Sequence, residues 1–226
     1  MPFNPPTEEE LQQVQHIKER LSTAVEGQLS PKITDVTILR FLRGMKYNLD
    51  EAFTRVVDYD KWRKEHSVDT IHELEGRIQR YFENGLCGVE GKDFNNRPLG
   101  YGAARVHDKY NRDIEDMRIL IIFVLEKLIA NAIPHEERFT IVFDLNGFSL
   151  KCMDYEVVKV LVSILQTHYP ETLEKVFVVD APFIFWACWS IIKPWLDPVT
   201  AAKVTFIKKA ELKDHLDDNL IPSLKA

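Results

Sequence analysis

The stretch KVFVVDAPFIFWACWSIIKPWLDPVTAAKVTFI (175–207) indicates the fold class of this chain of 226 residues. Its two ends, 175–181 and 202–207, are short apolar runs rich in valine and phenylalanine, which is typical of strands buried on both faces. The segment between them is apolar nearly all round and carries three of the chain's four tryptophans. The stretch therefore predicts two strands of one sheet, joined by an aromatic helical segment.

The sequence before this stretch repeats the alternation of strand and helix. Residues 99–106 and FTIVFDLNG (139–147) are predicted strands, and residues 113–131 and 154–168 are predicted helices. Strands that alternate with helices usually form a mainly parallel sheet through right-handed crossovers. We therefore predict an α/β fold in which helices flank a mainly parallel sheet.

The first third of the chain carries mainly helical signals. Thr7 followed by Glu10 is a capping box, and apolar residues at helical spacing come after it. Asn48 opens another helix, and a short apolar helix is predicted between the two. We expect an N-terminal helical lobe over residues 1–75 and an α/β lobe over residues 76–226.

Composition argues against several classes of protein. The net charge of -6 argues against a nucleic-acid binder, because such proteins need clustered Lys and Arg. Cys87, Cys152 and Cys188 form no CxxC pair, and with no secretory signal they predict a reducing, cytoplasmic setting. Asp180 and Pro182 interrupt the longest apolar region, so a transmembrane span is not expected.

The chain contains none of the common motifs for nucleotide binding, zinc catalysis or nucleophilic catalysis. The histidines are isolated from one another and from the cysteines, so we expect no metal site and no cofactor. Asp144 ends a predicted strand, where open α/β sheets often place ligand sites, although a carboxylate that caps backbone N–H groups fits equally well. No nucleophile, base and orienting group can be combined from spacing alone, and an enzyme is not predicted.

Two interpretations of the aromatic segment remain open on periodicity alone. It is either a crossover helix buried on every side or a surface that meets a second apolar phase. Leaving about 400 Å² of aromatic surface permanently in water would cost on the order of 10 kcal/mol, comparable to the stability of a whole domain. The segment must therefore be covered, or be exposed only where an apolar phase receives it.

Six strings along the chain carry a resemblance to a known family. They are ILRFLRGMKYNLDEA (38–52), DYDKWRKE (58–65), GKDFNNRP (91–98), FDLNG (143–147), HYPETLEKVFVVDAP (168–182) and IKPWLDPVTAAKV (192–204). In these strings the chain resembles the CRAL-TRIO lipid-binding domain family, of the phosphatidylinositol transfer type. The resemblance runs from about residue 33 to residue 207, and the last two strings are its most specific part.

The resemblance implies an α/β lobe that encloses a pocket for one hydrophobic lipid, with the aromatic segment as a mobile gate helix over the pocket mouth. The gate helix would cover the pocket in solution and lie in the bilayer when open. The expected gate residues are Phe183, Phe185, Trp186, Trp189, Ile192 and Trp195. The expected acyl-pocket residues are Phe139, Ile141, Phe143, Tyr169 and Val178.

The resemblance also implies a set of phosphoinositide headgroup residues. The set consists of Glu171 after Tyr-Pro, Thr200 in LDPVT, Lys203 three residues later, and Lys46, whose usual basic neighbour is here Met45. A phosphodiester binds a cation and hydroxyl donors, and inositol hydroxyls bind a carboxylate acceptor, so these residue types suit the role. Each alone is equally well explained as a solvated lysine or a helix cap. Their joint occurrence favours the site.

These observations predict a non-enzymatic cytoplasmic monomer that extracts phosphatidylinositol or a related phospholipid from membranes, and carries or presents it. Contact with the membrane surface would be peripheral and transient. Because Phe139, Ile141 and Phe143 stand where a choline-type pocket would carry hydroxyl or thioether groups, any second ligand is expected to be apolar, such as a sterol or another isoprenoid.

Two alternative functions remain open. One is a carrier or sensor of a single non-phospholipid hydrophobe, such as a sterol-, tocopherol- or retinoid-like molecule. The other is a regulatory module of a longer protein. The headgroup residues distinguish a phospholipid carrier from the first alternative, because a ligand without a headgroup would make no contact with them.

Overall fold

The computed structural model describes residues 4–25 and 27–216, and a single five-stranded sheet organises them. The strands are β1 (Cys87–Lys92), β2 (Pro98–Ala103), β3 (Phe139–Asp144), β4 (Leu173–Val179) and β5 (Val204–Ile207). They lie in the sheet in the same order as in the chain. Strands β2 to β5 pair in parallel, and β1 pairs antiparallel to β2. The predicted α/β fold with a mainly parallel sheet is confirmed.

Helices precede the sheet and connect its parallel strands. They are α1 (Glu8–Ala24), α2 (Asp35–Gly44), α3 (Leu49–Glu65), α4 (Glu75–Glu83), α5 (Ile114–Asn131), α6 (Tyr155–His168), α7 (Phe185–Ile192), α8 (Pro198–Ala202) and α9 (Lys209–Leu212). Helix α5 connects β2 to β3, α6 connects β3 to β4, and α7 and α8 connect β4 to β5. A 3₁₀ turn (Lys193–Trp195) follows α7 directly.

The N-terminal helices begin at the predicted caps. The Thr7 hydroxyl accepts from the Glu10 backbone N–H at 3.2 Å, and the Glu10 carboxylate accepts from the Thr7 N–H at 2.9 Å, which completes the capping box. The Asn48 side chain accepts from the N–H of Glu51 at 3.2 Å at the start of α3. The division predicted between residues 75 and 76 falls at the first residue of α4 and stays a prediction.

Strand β1 was not predicted from the sequence. Its residues, CGVEGK, include two glycines and two charged side chains, so neither alternation nor an apolar run is present. The strand is fixed instead by pairing with β2, where the Tyr101 ring covers Gly88 so closely that a Cβ there would lie 2.7 Å from it. Strand β2 also ends at Ala103, earlier than predicted, because a 3₁₀ turn (Ala104–Val106) follows.

A buried polar network joins α3 to the α/β lobe. Arg63, with a side chain only 1% exposed, donates two hydrogen bonds of 2.9 Å to the Glu126 carboxylate on α5. It also donates to Asp69 at 2.5 and 2.8 Å and to the Tyr59 hydroxyl at 2.7 Å. The Tyr169 hydroxyl donates to Glu126 at 2.7 Å. Each buried charge here has a charged or hydroxyl partner, as a stable buried ion pair requires.

The parallel strands give the sheet two distinct edges. Strands β4 and β5 begin at one edge, with Leu173 and Val204. Strands β2, β3 and β4 end at the opposite edge. A strand of six residues, such as β3, separates the two edges by about 20 Å. The connections at these edges carry the polar side chains of the candidate site.

Candidate functional site

An apolar cavity of about 320 Å³ lies between the sheet, α5, α6 and the α7–α8 connection. Its volume falls within the range of about 300–1,000 Å³ that is usual for small-molecule sites. Its lining is almost entirely aliphatic and aromatic. The lining side chains include Ile141, Phe143, Val176 and Val178 from the sheet, Met117, Leu120, Ile121 and Val124 from α5, Val157, Val158, Leu161, Val162 and Leu165 from α6, and Phe185, Trp189 and Ile192 from α7.

The structure brings three of the five expected acyl-pocket residues to the cavity wall. Ile141, Phe143 and Val178 line it from the central strands. Phe139 is fully buried at the start of β3, and Tyr169 is buried beside Glu126 in the polar network; neither borders the cavity. The assignment of these residues to acyl chains stays a prediction.

Helix α6 contributes more of the wall than the sequence analysis foresaw. It is rich in valine and leucine, yet Ile164 is its only fully buried residue. Val157, Val158 and Leu161 are partly exposed because they face the cavity instead of other side chains. The signal was present as an unusually apolar helix, but sequence alone could not show that this face borders a void.

The aromatic segment has an inner and an outer face. Phe185, Trp189 and Ile192 point inward and line the cavity. On the outer face, Phe183 is 92% exposed and Trp186 is 46% exposed. Ile184 and Ile191 are exposed on the same segment, and Trp195 is half-buried, edge-on to the Tyr155 ring. The interpretation of a helix buried on every side is therefore wrong, because the outer face is open to solvent.

The outer face carries several exposed apolar side chains close together in the chain. The Trp186 ring packs on Phe206 of β5 with ring centroids 4.5 Å apart, and its remaining surface stays accessible. Single exposed apolar residues are normal on protein surfaces, but contiguous apolar patches mark protein or membrane interaction sites. The segment thus covers an apolar cavity with one face and presents apolar side chains to the surroundings with the other.

The expected headgroup residues lie near the edge of the sheet where β4 and β5 begin. The Lys203 ammonium donates at 2.6 Å to the carbonyl of Leu173, which follows Glu171 by two residues. The Thr200 hydroxyl donates to Asp197 at 2.6 Å, and Thr200 also borders the cavity. Thr200 therefore borders the cavity, and the Lys203 ammonium is held at the Leu173 backbone at the same edge of the sheet. Lys46, Glu171 and Lys203 are not among the residues that line the cavity. Their role in binding a headgroup stays a prediction.

Lys46 lies in a turn that packs against the segment carrying Glu171. A Cβ added to Gly44 would lie 3.0 Å from the Pro170 side chain, so the turn after α2 and the residue before Glu171 are in close contact. Lys46 and Glu171 both have left-handed backbone conformations, with φ of 52° and 61°. Such conformations are uncommon for residues other than glycine, asparagine and aspartate, and a binding site is one place where they recur.

A cluster around Glu10 fixes the position of this turn. Arg43 donates to the Glu10 carboxylate at 2.8 and 2.9 Å, and the Tyr47 hydroxyl donates to it at 3.1 Å. The Arg43 guanidinium lowers the pKa of Glu10 to about 2. The pKa of the Arg43 guanidinium is raised, chiefly by its hydrogen bonds to Glu10 and to a smaller extent by the charge of Glu171. Sequence reasoning identified Glu10 only as a helix cap and missed this second role.

Polar side chains also lie beyond the opposite edge of the sheet. His107 and Asp154 both border the cavity, and the imidazole Nε2 lies 3.1 Å from the Asp154 carboxylate. Arg112 donates to the same carboxylate oxygen at 2.9 Å. Sequence reasoning did not single out this group, because Asp154 lies more than 40 positions from His107 and Arg112 and the three match no motif. Asp144, at the end of β3, forms an ion pair with Arg105 and accepts from the Asn146 N–H, in agreement with its interpretation as a capping carboxylate.

Two further features bear on the expected function. Among the residues that the structure describes, no helix is both long enough and apolar enough to cross a membrane. Within the same residues, no cluster of three or more His, Cys, Asp or Glu side chains is arranged to hold a metal ion.

Comparisons with known proteins agree with the fold described above. The model of the CRAL/TRIO domain family matches residues 82–224. A CRAL-TRIO domain-containing protein of Schizosaccharomyces pombe is 35% identical over 196 residues, which cover 83% of this chain and 44% of the relative. The phosphatidylinositol transfer protein CSR1 of Eremothecium gossypii is 34% identical over 202 residues, which cover 83% of this chain and 46% of the relative. This chain thus spans less than half the length of these two curated relatives.

A solved structure shows the same fold. The crystal structure of Sfh5 matches with a TM-score of 0.71 over 96% of this chain and 86% of that chain, at 18% sequence identity. At that identity the likeness concerns the fold alone.

Proposed function

This chain belongs to the CRAL/TRIO domain family, and from that premise we propose that it extracts phosphatidylinositol or a related phospholipid from membranes and carries or presents it. The observation that carries the proposal is the cavity under α7: its wall is almost entirely apolar, and Thr200, three residues before Lys203, borders it. An apolar compartment with a cation and a hydroxyl at one end matches a lipid with acyl chains and a phosphate headgroup. No step of this role requires catalysis, and we propose a carrier, not an enzyme.

Burial of acyl chains in the cavity offsets the loss of their bilayer environment. Each CH₂ left in water would cost about 0.8 kcal/mol, so a chain that leaves the bilayer for this cavity exchanges one apolar environment for another at little cost. The polar groups then decide which headgroup is held. Lys203 and Lys46 would face the phosphate, Thr200 would donate to it, and Glu171 would accept from inositol hydroxyls.

The exposed outer face of the gate segment supplies the membrane contact in this proposal. Trp186 pairs an apolar ring with one N–H donor, a combination that favours the interface between headgroups and hydrocarbon. Phe183 has almost no protein contact and is available to enter the acyl region first. We propose that the protein is a cytoplasmic monomer that docks transiently through this face and exchanges its lipid while docked.

Transfer of labelled phosphatidylinositol between vesicles tests the headgroup assignment. Lys203→Ala and Glu171→Ala should each slow transfer, since loss of one hydrogen bond to a charged group costs about 1.5–3 kcal/mol, roughly tenfold or more in affinity. Lys61→Ala, on the exposed surface of α3, is the matched control and should transfer at the unmodified rate. Unmodified transfer by both site variants, with native thermal transitions, would show that the headgroup assignment is wrong.

The same assay separates the alternative of a carrier for a single hydrophobe without a headgroup. Such a carrier needs the cavity but not the set of Glu171, Thr200 and Lys203, so it should transfer phosphatidylinositol poorly and respond little to their substitution. A regulatory module of a longer protein would bind lipid without exchanging it. Binding without transfer, measured on the same vesicles, identifies that case.

A further inference from the structure

An open groove of about 780 Å³ lies between α4 and the edge of the sheet that β1 forms. Phe82 of α4, Val89 of β1 and Tyr101 of β2 give the groove apolar surface. The Phe82 ring is half-buried and packs on Phe123 of α5 with ring centroids 5.6 Å apart, so this wall is held in place. The lipid-carrier function assigns no role to the groove.

Strand β1 leaves its outer backbone groups without partners. The Leu86 carbonyl accepts from the Ala103 N–H of β2 at 2.8 Å. Backbone groups alternate in direction along a strand, so those of Gly88 also point toward β2, and those of Cys87 and Val89 point away from it. Among the residues that the structure describes, no group forms a hydrogen bond with the N–H or C=O of Cys87 or Val89. Two donors and two acceptors therefore line the groove.

This edge of the sheet is protected over only part of its length. Exposed strand edges can pair with other chains, and natural proteins block them with charged side chains, prolines or bulges. In β1 the irregular pairing lies between Val89 and Lys92, and charged side chains begin at Glu90. The residues from Leu86 to Val89 include no charged side chain and no proline, so they remain open for pairing.

The side chains around the groove are mainly acidic. Glu75, Gln79 and Glu83 border it from α4, where their four-residue spacing places them along one face of the helix. Glu90 borders it from β1, and all three carboxylates are exposed. Lys127 is the one basic side chain among the described residues that line the groove. Three carboxylates against one ammonium favour a ligand that carries positive charge.

We propose that this groove binds an extended basic segment of a partner protein, which pairs with β1 as an additional strand. Its backbone exchanges hydrogen bonds with Cys87 and Val89, and its lysine or arginine side chains lie against the three glutamates. In such complexes the backbone pairing supplies affinity, and the alternate side chains supply specificity. This inference goes beyond the lipid-carrier function and does not depend on it, because neither the headgroup residues nor the gate segment takes part.

Binding of a synthetic peptide tests the proposal. The probe is a blocked peptide of alternating lysine and threonine with a fluorescent label, and its binding to the unmodified protein is measured by anisotropy. One control peptide carries glutamate in place of lysine. A second keeps the lysines but has methyl groups on its central backbone nitrogens, which removes the hydrogen-bond donors. Only the first peptide should bind. Equal binding of the N-methylated peptide would show charge attraction without strand pairing and would overturn the inference.

Hydrogen exchange on the unmodified protein locates the bound strand. The amides of Cys87 and Val89 should exchange fast in the free protein. Their exchange should slow roughly tenfold when nine in ten molecules hold the basic peptide, because exchange then proceeds only from the free fraction. Amides of β5, at the opposite edge of the sheet, should keep their rates. Peptide binding without slower exchange at Cys87 and Val89 would contradict strand addition at this edge.

Variants connect the binding to the acidic side chains. A protein with both Glu75→Gln and Glu90→Gln should bind the basic peptide about three- to tenfold more weakly, since each exposed ion pair contributes modestly. Glu65→Gln, which removes an exposed carboxylate on α3, is the matched control and should bind as the unmodified protein does. Unchanged affinity in the folded double variant would overturn the charge assignment. Dimerisation of the protein that protects the same two amides would assign the edge to a second copy of this chain and overturn the proposed partner.

Discussion

The lobe interface around Arg63 and the cavity under α7 differ in what fills them. At the interface, Arg63 meets Glu126, Asp69 and Tyr59 at hydrogen-bond distance, and the Arg63 side chain is only 1% exposed. In the cavity, by contrast, valine and leucine side chains of α6 line an apolar compartment instead of packing against other side chains. A protein interior is normally packed at the density of an organic crystal, so an apolar void is unfavourable unless a ligand occupies it. The first region fixes the framework, and the second is left for the ligand.

The largest effect should come from breaking the polar network. Arg63→Ala leaves Glu126 and Asp69 without their partner, and loss of one member of a buried ion pair typically costs 3–5 kcal/mol. We expect a loss of this size in the free energy of unfolding, measured by urea denaturation. A loss below about 1 kcal/mol would mean that the network does not hold the lobes together. Lys18→Ala, which removes an exposed ion pair with Asp35, is the control and should change little.

Two leucines allow the packed N-terminal lobe to be compared with the cavity wall. Leu42 is fully buried in the N-terminal lobe, and Leu42→Ala should cost about 2–5 kcal/mol. Leu161 borders the cavity, so Leu161→Ala removes fewer contacts and should cost the lipid-free protein under about 1.5 kcal/mol. Adding lipid should widen the stability difference between Leu161→Ala and the unmodified protein. Equal costs for the two leucines without lipid would contradict an open cavity.

Acid should test the cluster that holds the Lys46 turn. Because the folded pKa of Glu10 is depressed to about 2 from an unfolded value near 4.5, its contribution to stability is complete above pH 4.5 and disappears as the pH falls toward 2. Glu10→Gln should therefore lower the free energy of unfolding by about 1–3 kcal/mol at pH 7, with a difference that shrinks below pH 4.5. A difference independent of pH would show that packing, and not charge, is responsible.

The smallest effect on stability, and a large effect on function, is expected at the gate. Phe183→Asp alters a side chain that is 92% exposed, so the unfolding free energy should change by less than about 0.5 kcal/mol. Its charge would oppose entry into hydrocarbon by a few kcal/mol, so vesicle association and lipid exchange should fall together. Phe94→Asp, an exposed phenylalanine on the β1–β2 turn, is the matched control. Equal vesicle binding by the two variants would contradict membrane contact through the gate.

Much of the framework could be predicted from local sequence. The caps at Thr7 and Asn48 and the apolar runs of β3 and β4 are short-range signals, and each is present in the structure. Strand β1 was missed because pairing with β2, and not its own residues, makes it a strand. The two faces of the gate segment were also beyond prediction, since a segment apolar on all sides has no periodicity that distinguishes inside from outside.

The candidate site was predictable only where a motif carried it. Thr200 and Lys203 were assigned from a sequence string that resembles the family. The structure places them just before β5, near the amino-terminal ends of β4 and β5. His107 and Asp154 come together through the ends of β2 and the start of α6, so their proximity is a property of the tertiary fold. Arg43 was assigned no role from the sequence, because its contact with Glu10 spans more than 30 residues of the chain.

Native mass spectrometry of the protein recovered from phosphatidylinositol vesicles tests the central claim most directly. The cavity should hold a single lipid, so the folded protein should gain the mass of one phosphatidylinositol molecule. Leu165→Trp, which fills part of the cavity, should reduce that occupancy, while Lys61→Ala should not. A folded protein that leaves the vesicles with no added lipid mass, although it associated with them, would contradict the assignment of the cavity as a lipid compartment.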